Sequence, residues 1–267
     1  MATVDNSASA TGDSVRVYVV DTFTQNTFRG NPTGVVLVDQ WVDPDWMQAV
    51  AAEFNHPATA FIDISTPDAL RWFSPTTELT LCGSGTLAAA HILGGEQTFH
   101  TRGGTLSCTV GADGAISMRF PADPPHPEPL TGELAEGLPG ITVCSVWRGR
   151  HDVLVEAASA AEVRALTPRP AVLANVAARA VIVTAAGDRE ADIVSRVFAP
   201  SAGIVEDPVT GSAHCTLAGH WSKRLAKPEL LAEQASPRGG LLRTRLDGDH
   251  VLLIGHAVTV FSGNLRV

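Results

Sequence analysis

The sequence predicts a strand-rich α+β fold built from two similar halves, and two observations carry that prediction. The first is a stretch that occurs twice: residues 71–91 read RWFSPTTELTLCGSGTLAAAH, and residues 196–220 read RVFAPSAGIVEDPVTGSAHCTLAGH. Both run Arg-x-Phe-small-Pro, a short loop, Gly-Ser-small, then Thr-Leu-Ala and a His. Arg71 to Arg196 is 196 − 71 = 125 positions and Gly83 to Gly211 is 211 − 83 = 128, close to half of the 267 residues. The second is that short β-branched runs, divided by turn residues, recur on both sides of the midpoint.

In the first half, VRVYVVDTF (Val15–Phe23) reads as a strand. Gly30, Asn31, Pro32 and Gly34 mark a break before a second strand over Val35–Val38. A helix follows, with Asp43 as N-cap, Pro44 at its first position, and Trp46, Met47, Val50 and Phe54 on one apolar face. Ala60–Ile64, Ala69–Phe73, Thr105–Val110 and Ile116–Phe120 read as strands. Between them Thr86–Leu93 is an Ala-rich helix, apolar all round and therefore buried. Pro121–Leu130 (PADPPHPEPL) carries five prolines and can be neither a helix nor a central strand. It reads as the linker. In the second half, Val153–Val155, Val181–Thr184 and Ile193–Phe198 read as strands, and Ser159 with Glu162 forms a capping box for a helix through Leu166. Ser212–Lys223 is the matching helix. Leu241–Arg245, Val251–Ile254 and Ala257–Phe261 close the chain as strands. The expected units are 14–122 with 257–267, and 131–256, joined by 123–130.

Composition narrows the function. Hydrophobic residues make up 45% of the chain and charged residues 18%, enough for a sizeable core. The formal charge of −9 and the lack of a basic patch argue against nucleic acid. The four cysteines, Cys82, Cys108, Cys144 and Cys215, form no C-x-x-C and have no paired His spacing, so no metal site is expected. Cys108, Cys144 and Cys215 read as core. Residues 2–13 read as a frayed polar tail, no signal peptide opens the chain, and no apolar run suffices to span a bilayer. A cytoplasmic protein with reduced thiols is expected.

The two Gly-Ser turns carry the chemistry. A glycine ahead of a helix lets a ligand approach the main chain, and the free N–H groups of the first turn attract a carboxylate or phosphate. Gly83, Ser84, Gly85 and Thr86 on one side, and Gly211, Ser212 and Ala213 on the other, are the candidate binders of a small anion. The plainer reading is that Gly-Ser is simply a good N-cap. Cys82 precedes the first turn, where a helix N-terminus is expected to lower a thiol pKa; a buried small hydrophobe is the plainer reading there. Asp207, just ahead of the second turn, is a candidate general acid or base. His56 sits at a turn between helix and strand, while His91 and His220 read as hydrogen-bonded core residues. No dinucleotide, Walker or zinc-protease motif occurs, and CGSGT lacks the leading glycine of a nucleophile elbow.

Three segments carry a family resemblance: VDTFTQNTFRGNPTGVVLV, RWFSPTTELTLCGSGTLAAAHIL and RVFAPSAGIVEDPVTGSAHCTLAGHW. The chain resembles the phenazine-biosynthesis isomerase family, which shares its fold with diaminopimelate epimerase and proline racemase. The resemblance implies two pseudo-symmetric halves, each a barrel-like sheet around a central helix, with a substrate cleft between them. It implies no metal or organic cofactor, a homodimer, and a final strand that returns to the first half. Asn31 matches the family's GNP asparagine near the substrate. Asp207, Gly211 and Ser212 match the EDP-x-TGS loop, and Cys82 and Gly83 match the usual start of the first turn. Two positions depart. Where the family reads N-L-S-E-T this chain has Asn55-His56-Pro57-Ala58-Thr59, so Ala58 replaces the proton-shuttling glutamate. Where it reads C-G-H-A-T this chain has Cys82-Gly83-Ser84-Gly85-Thr86, so Ser84 replaces the histidine.

The expected function is an isomerase that moves a double bond by proton transfer in a small carboxylate-bearing metabolite of secondary metabolism. Asp207 would handle the proton with Cys82 or His56. Two alternatives stand beside it: a catalytically silent member that binds a small acid or a partner, and a one-thiol racemase on Cys82. A two-thiol epimerase is disfavoured, because Thr210 stands where the opposing cysteine would be.

Overall fold

The computed structural model describes residues 14–66 and 68–266, so the expected polar tail at 2–13 lies outside the described residues. The first half runs β1 (Ser14–Thr22), β2 (Asn31–Val38), α1 (Pro44–Phe54), β3 (Ala58–Asp63), β4 (Leu70–Phe73), β5 (Glu78–Leu79), α2 (Gly83–Leu93), β6 (Glu96–Thr101), β7 (Gly104–Val110), β8 (Ile116–Pro121) and β9 (His126–Pro127). The second runs α3 (Gly132–Gly137), β10 (Val143–Arg148), β11 (Val153–Ala157), α4 (Ala160–Ala165), α5 (Pro170–Leu173), β12 (Val181–Ala186), β13 (Ile193–Ala199), a 3-10 turn (Pro200–Ala202), β14 (Ile204–Asp207), α6 (Gly211–Leu225), β15 (Glu229–Gln234), β16 (Gly240–Asp247), β17 (His250–Gly255) and β18 (Ala257–Arg266).

The two halves obey one grammar. β2 and β3 pair in parallel across α1, as β11 and β12 do across α4 and α5. β3, β4 and β5 then pair antiparallel in series, as β12, β13 and β14 do. A buried helix follows in each half, then an antiparallel triple, β6-β7-β8 or β15-β16-β17. β8 pairs with β17 from His250↔Pro121 to Gly255↔Ile116, which fuses the triples into one sheet of twelve strands. The outer strands are exchanged. β9, which follows the first triple, pairs with β10, and β18, which follows the second, pairs with β1. The chain is thus α+β with two sheet-rich pseudo-symmetric halves.

Local chemistry explains the elements. The Asp43 carboxylate accepts the Asp45 N–H at 2.8 Å and Pro44 takes the first helical position, so α1 starts as its sequence predicts. Its Met47, Val50 and Ala51 pack with Phe61 and Phe73. In α2 every residue from Gly83 to Ala90 is buried, and one apolar cluster runs from Val20, Trp72 and Leu87 to Leu217, Trp221 and Leu253 in the other half. Ser159 caps α4 by accepting the Glu162 N–H at 3.2 Å. Glu162 itself turns to the Thr142 N–H, so only half of the predicted capping box forms.

Several expectations need correction. The predicted break holds at Gly30, whose φ is 65°, but Asn31–Gly34 already belong to β2, where Asn31 pairs with Thr22 and Pro32 with Asp21. Proline fits because the ladder to β3 begins one residue later, at Thr33↔Ala58. The proline-rich segment contains β9, a two-residue edge strand. Cys144 is exposed rather than core, because β10 shifts register between Val143 and Ser145 and leaves it unpaired. Cys108 and Cys215 are buried as expected.

The repeated Arg-x-Phe has a structural meaning in both halves. Arg71 on β4 binds Glu78 on β5 through two hydrogen bonds, of 2.8 and 3.0 Å, and Arg196 on β13 binds Glu206 on β14 at 2.7 and 2.8 Å. Each guanidinium also lies over the phenylalanine two residues on, 5.3 Å from Phe73 and 5.2 Å from Phe198. The spacing is 78 − 71 = 7 in one copy and 206 − 196 = 10 in the other. The connections have equal length, 74–77 and 200–203, so the extra three residues lie in the strands: Ala199 extends β13, and Ile204 and Val205 precede Glu206 on β14.

Candidate functional site

The N-termini of α2 and α6 abut. A Cβ on Gly83 would lie 2.9 Å from the Cα of Gly211, and one on Gly211 would lie 3.0 Å from the Cα of Gly83. Any side chain at either position would force the helices apart, so glycine is required by close approach. Phe23, buried at the end of β1 with φ of 60°, fits against this junction. Cβ atoms on Gly211 and Gly255 would meet its ring at 3.4 and 2.8 Å, and its carbonyl accepts the Leu241 N–H at 3.0 Å.

Asp207 ends β14 beside this junction and is tied on three sides. Asn31 donates through Nδ2 to Asp207 Oδ1 and to the Val209 carbonyl, both at 2.8 Å. Thr210 Oγ1 donates to Asp207 Oδ2 at 2.6 Å. Gln234 donates to the Asp207 carbonyl at 2.7 Å while its Oε1 accepts the Thr210 N–H at 2.8 Å, which pins the loop. Solvent still reaches part of the residue, but the carboxyl group itself is desolvated. That burial pushes its pKa up to about 6, against the pull of Thr210, Asn31 and the Arg179 guanidinium, while Glu206 adds a smaller push. A carboxyl group with that pKa can both take and return a proton near neutral pH.

The first turn behaves differently from its sequence expectation. Cys82 is the N-cap of α2 and its Sγ accepts the Gly85 N–H at 3.3 Å, yet its pKa is raised, not lowered. Burial outweighs the N–H groups and the Ser84 hydroxyl 3.5 Å away, and the negative charge of Asp207 adds to the push. The thiol is therefore protonated at neutral pH, and the expected thiolate is not supported. Thr86 spends its hydroxyl on the Cys82 carbonyl at 2.6 Å. Gly85 faces Trp72, whose Cδ1 would lie 2.4 Å from an added Cβ. Ser84, Gly85 and Thr86 are all buried. In the second turn Ala213 is buried, while Ser212 keeps some exposure and accepts a hydrogen bond from Arg179 Nη2 at 3.1 Å. Thr210 provides no side-chain cap for α6.

His56 is half-buried, with its ring 6.4 Å from that of Phe54. Burial and the Arg238 guanidinium hold its pKa down, and Asp21 partly offsets them. No hydrogen bond joins it to Asp207 or Cys82. Ala58 is buried in β3. His91 hydrogen-bonds Thr259 at 3.0 Å, and His220 packs between Trp147 and Trp221 beside Glu156. Among the described residues no group of His, Cys, Asp or Glu could hold a metal ion, and no helix is long and apolar enough to cross a membrane.

Sequence reasoning brought Asn31, Cys82, Asp207 and the two glycine turns to one place and set Thr210 only at the opposing-cysteine position, without its bond to Asp207; it missed Gln234, Arg179 and Asp152. Thr210 was legible as the residue three beyond Asp207 in the second loop. Gln234 sits 234 − 207 = 27 positions away on another strand, and no spacing in the chain announces it.

The comparisons agree with this architecture. The profile of the PhzC-PhzF family, described as phenazine biosynthesis-like protein, matches residues 20–263. An uncharacterized isomerase of Halalkalibacterium halodurans is 43% identical over 260 residues, spanning 93% of this chain and 97% of that one. A phenazine biosynthesis-like domain-containing protein of Mus musculus is 35% identical over 283 residues, spanning 93% and 98%. The crystal structure of a PhzF family protein from Enterococcus faecalis superposes with a TM-score of 0.89 at 35% identity, covering 95% of this chain and all of that one. A hydroxyproline epimerase from Agrobacterium vitis shares the fold alone, with a TM-score of 0.61 at 10% identity. The relatives named isomerases support an enzyme of isomerase type, and the match across 20–263 shows that this chain belongs to the PhzC-PhzF family of phenazine biosynthesis-like proteins.

Proposed function

We propose that the protein is an isomerase that moves a proton, and with it a double bond, along a small carboxylate-bearing metabolite, with Asp207 as the proton carrier. The observation that carries this reading is the Asp207 carboxyl, pushed up to about 6 and held by Asn31 and Thr210 where the two helix N-termini abut. The ionised Asp207 takes a proton from a carbon next to the double bond. The electron pair spreads into the conjugated acid, whose carboxylate is stabilised by N–H groups of the helix ends. Protonated Asp207 then returns the proton at another carbon, so the product is an isomer and the carboxylate is regenerated. The reaction needs only this donor and acceptor, which is why the loss of the family glutamate at Ala58 is tolerable: one carboxyl serves both steps on one face. Protonated Cys82 lies within electrostatic reach of Asp207 and can donate to a developing charge, but it is not the base. With it go a cytoplasmic location, as the reduced-thiol reading of the chain expects, and a homodimer in secondary-metabolite biosynthesis, as the family resemblance implies.

The test is solvent deuterium exchange, followed by proton NMR, across a panel of α,β- and β,γ-unsaturated acids. Wild-type protein should label at least one acid at carbon, and Asp207→Asn should lower that rate by about 10²–10⁴-fold. Full exchange in the variant would remove Asp207 from the mechanism. A family member without activity would label none of them.

A further inference from the structure

Beside the α6 N-terminus the chain forms a cleft of about 70 Å³, lined by Leu81, Asp123, Arg150, His151, Arg179 and Ser212 among others. We propose that this cleft is the subsite for the substrate's carboxylate, and that Arg179 is the side chain that binds it. The inference rests on the proton-shift reading and adds a charged side chain to the helix-end N–H groups that hold the carboxylate in it.

Arg179 is preset for such a role. Asp152, 1% exposed, grips it from below through Nε at 2.9 Å and Nη2 at 2.5 Å. Nη2 also reaches Ser212 Oγ at 3.1 Å. Nη1 makes no hydrogen bond among the described residues, and 38% of the side chain remains exposed. A guanidinium held on one edge by a buried carboxylate, with its other edge open to a cleft, loses little freedom when it takes an anion. The acids nearby are already engaged: Asp123 accepts the Arg150 N–H and the Thr216 hydroxyl, each at 2.8 Å, and Asp152 is spent on Arg179. Leu81 and Ser212 of the cleft wall adjoin Cys82 and Gly211 in sequence, so the cleft opens next to the junction of the two helix ends, where Asp207 also lies.

The pseudo-symmetry sharpens the point. Counted back from the register pairs Thr33↔Ala58 and Val153↔Val181, His56 and Arg179 each lie two residues before the second parallel strand of their half. The first half carries a half-buried His56 whose pKa is held down; the second carries a permanent cation. The carboxylate is therefore bound on the α6 side, not shared equally between two like helix ends. This orients the substrate in one direction along the cleft.

The experiment measures binding of linear four- to eight-carbon unsaturated acids, crotonate first, against their uncharged amides by calorimetry. Wild type should prefer at least one acid over its amide. Arg179→Gln should weaken that acid by about tenfold or more and abolish the preference. Because Arg179→Gln leaves Asp152 buried without a partner, the neutral pair Asp152→Asn/Arg179→Gln is measured beside it, and Arg179→Lys should recover part of the affinity. Arg102→Gln, on an exposed arginine, should change nothing. If the neutral pair keeps the acid-over-amide preference, or no acid binds wild type, the subsite is wrong. Asp207→Asn separates the two ideas: it should still bind the acid while losing exchange. Exchange that survives in Asp207→Asn overturns the proton-shift reading while an Arg179-dependent affinity stands.

Discussion

At Asp207 and Cys82 the same environment acts on two acids, and burial wins at both. For Asp207 the result is a group that titrates at about 6. Activity should therefore rise with pH through about 6, because the ionised form takes the first proton, and Asp207→Asn should remove that rise. The linkage to stability has the opposite sense. An unfolded Asp titrates near 3.8, and the folded group only near 6. Its contribution is fully present below about 3.8 and is lost as pH rises through about 6, on the order of 3 kcal/mol in all. Asp207→Asn should thus be more stable than wild type at pH 8, relative to pH 3, by urea unfolding. For Cys82 the expected outcome is slow alkylation. With limiting iodoacetamide at pH 7.5, mass spectrometry should find exposed Cys144 labelled first and buried Cys82 lagging well behind it. Rapid labelling of Cys82 would restore the thiolate, and with it the one-thiol racemase.

At the scale of elements, the repeat is a structural device before it is a functional one. Each copy crosses from one strand to the next with a bidentate Arg–Glu pair laid over a phenylalanine, and then starts a helix on glycine. The two glutamates are equally enclosed, but Arg196 is the more buried arginine, 9% exposed against 23% for Arg71. Arg196→Ala strands Glu206 and the Leu166 carbonyl, which accepts from Arg196 Nη1, and should cost about 3–5 kcal/mol. Arg71→Ala should cost less, because Glu78 keeps Arg102 as a partner. Denaturant midpoints of the two variants check the order. Gly85→Ala should cost about 1–3 kcal/mol, since the new methyl meets the Trp72 ring in a packed core. The shared Arg-x-Phe, Asp43-Pro44 and the Gly-Ser turns were legible because each encodes a local geometry. β6 (EQTFHT) and β15 (ELLAEQ) were not. Their polar or helix-forming residues become strands because β7 pairs along the length of β6, and β13 and β16 pair with the two sides of β15.

At the scale of the whole molecule, the halves are locked by exchange. β9 and β18 each leave the triple before them and join the other half, and Phe23 is packed against glycines of the second half. Phe23→Ala should therefore destabilise both halves together, by about 3–5 kcal/mol, in a single unfolding transition seen equally by fluorescence and circular dichroism. The α+β class, the duplication, the family, and the glycines and carboxyl group of the candidate site can be read from the chain, because composition, turn chemistry and short motifs are written in consecutive residues. Tertiary structure alone decided that the thiol of Cys82 stays protonated and that Asp207 is poised near neutrality. It also decided that Gln234, Asp152 and Arg179 stand beside them. Those outcomes depend on burial and on charges brought together from distant strands, and neither quantity exists until the chain has folded.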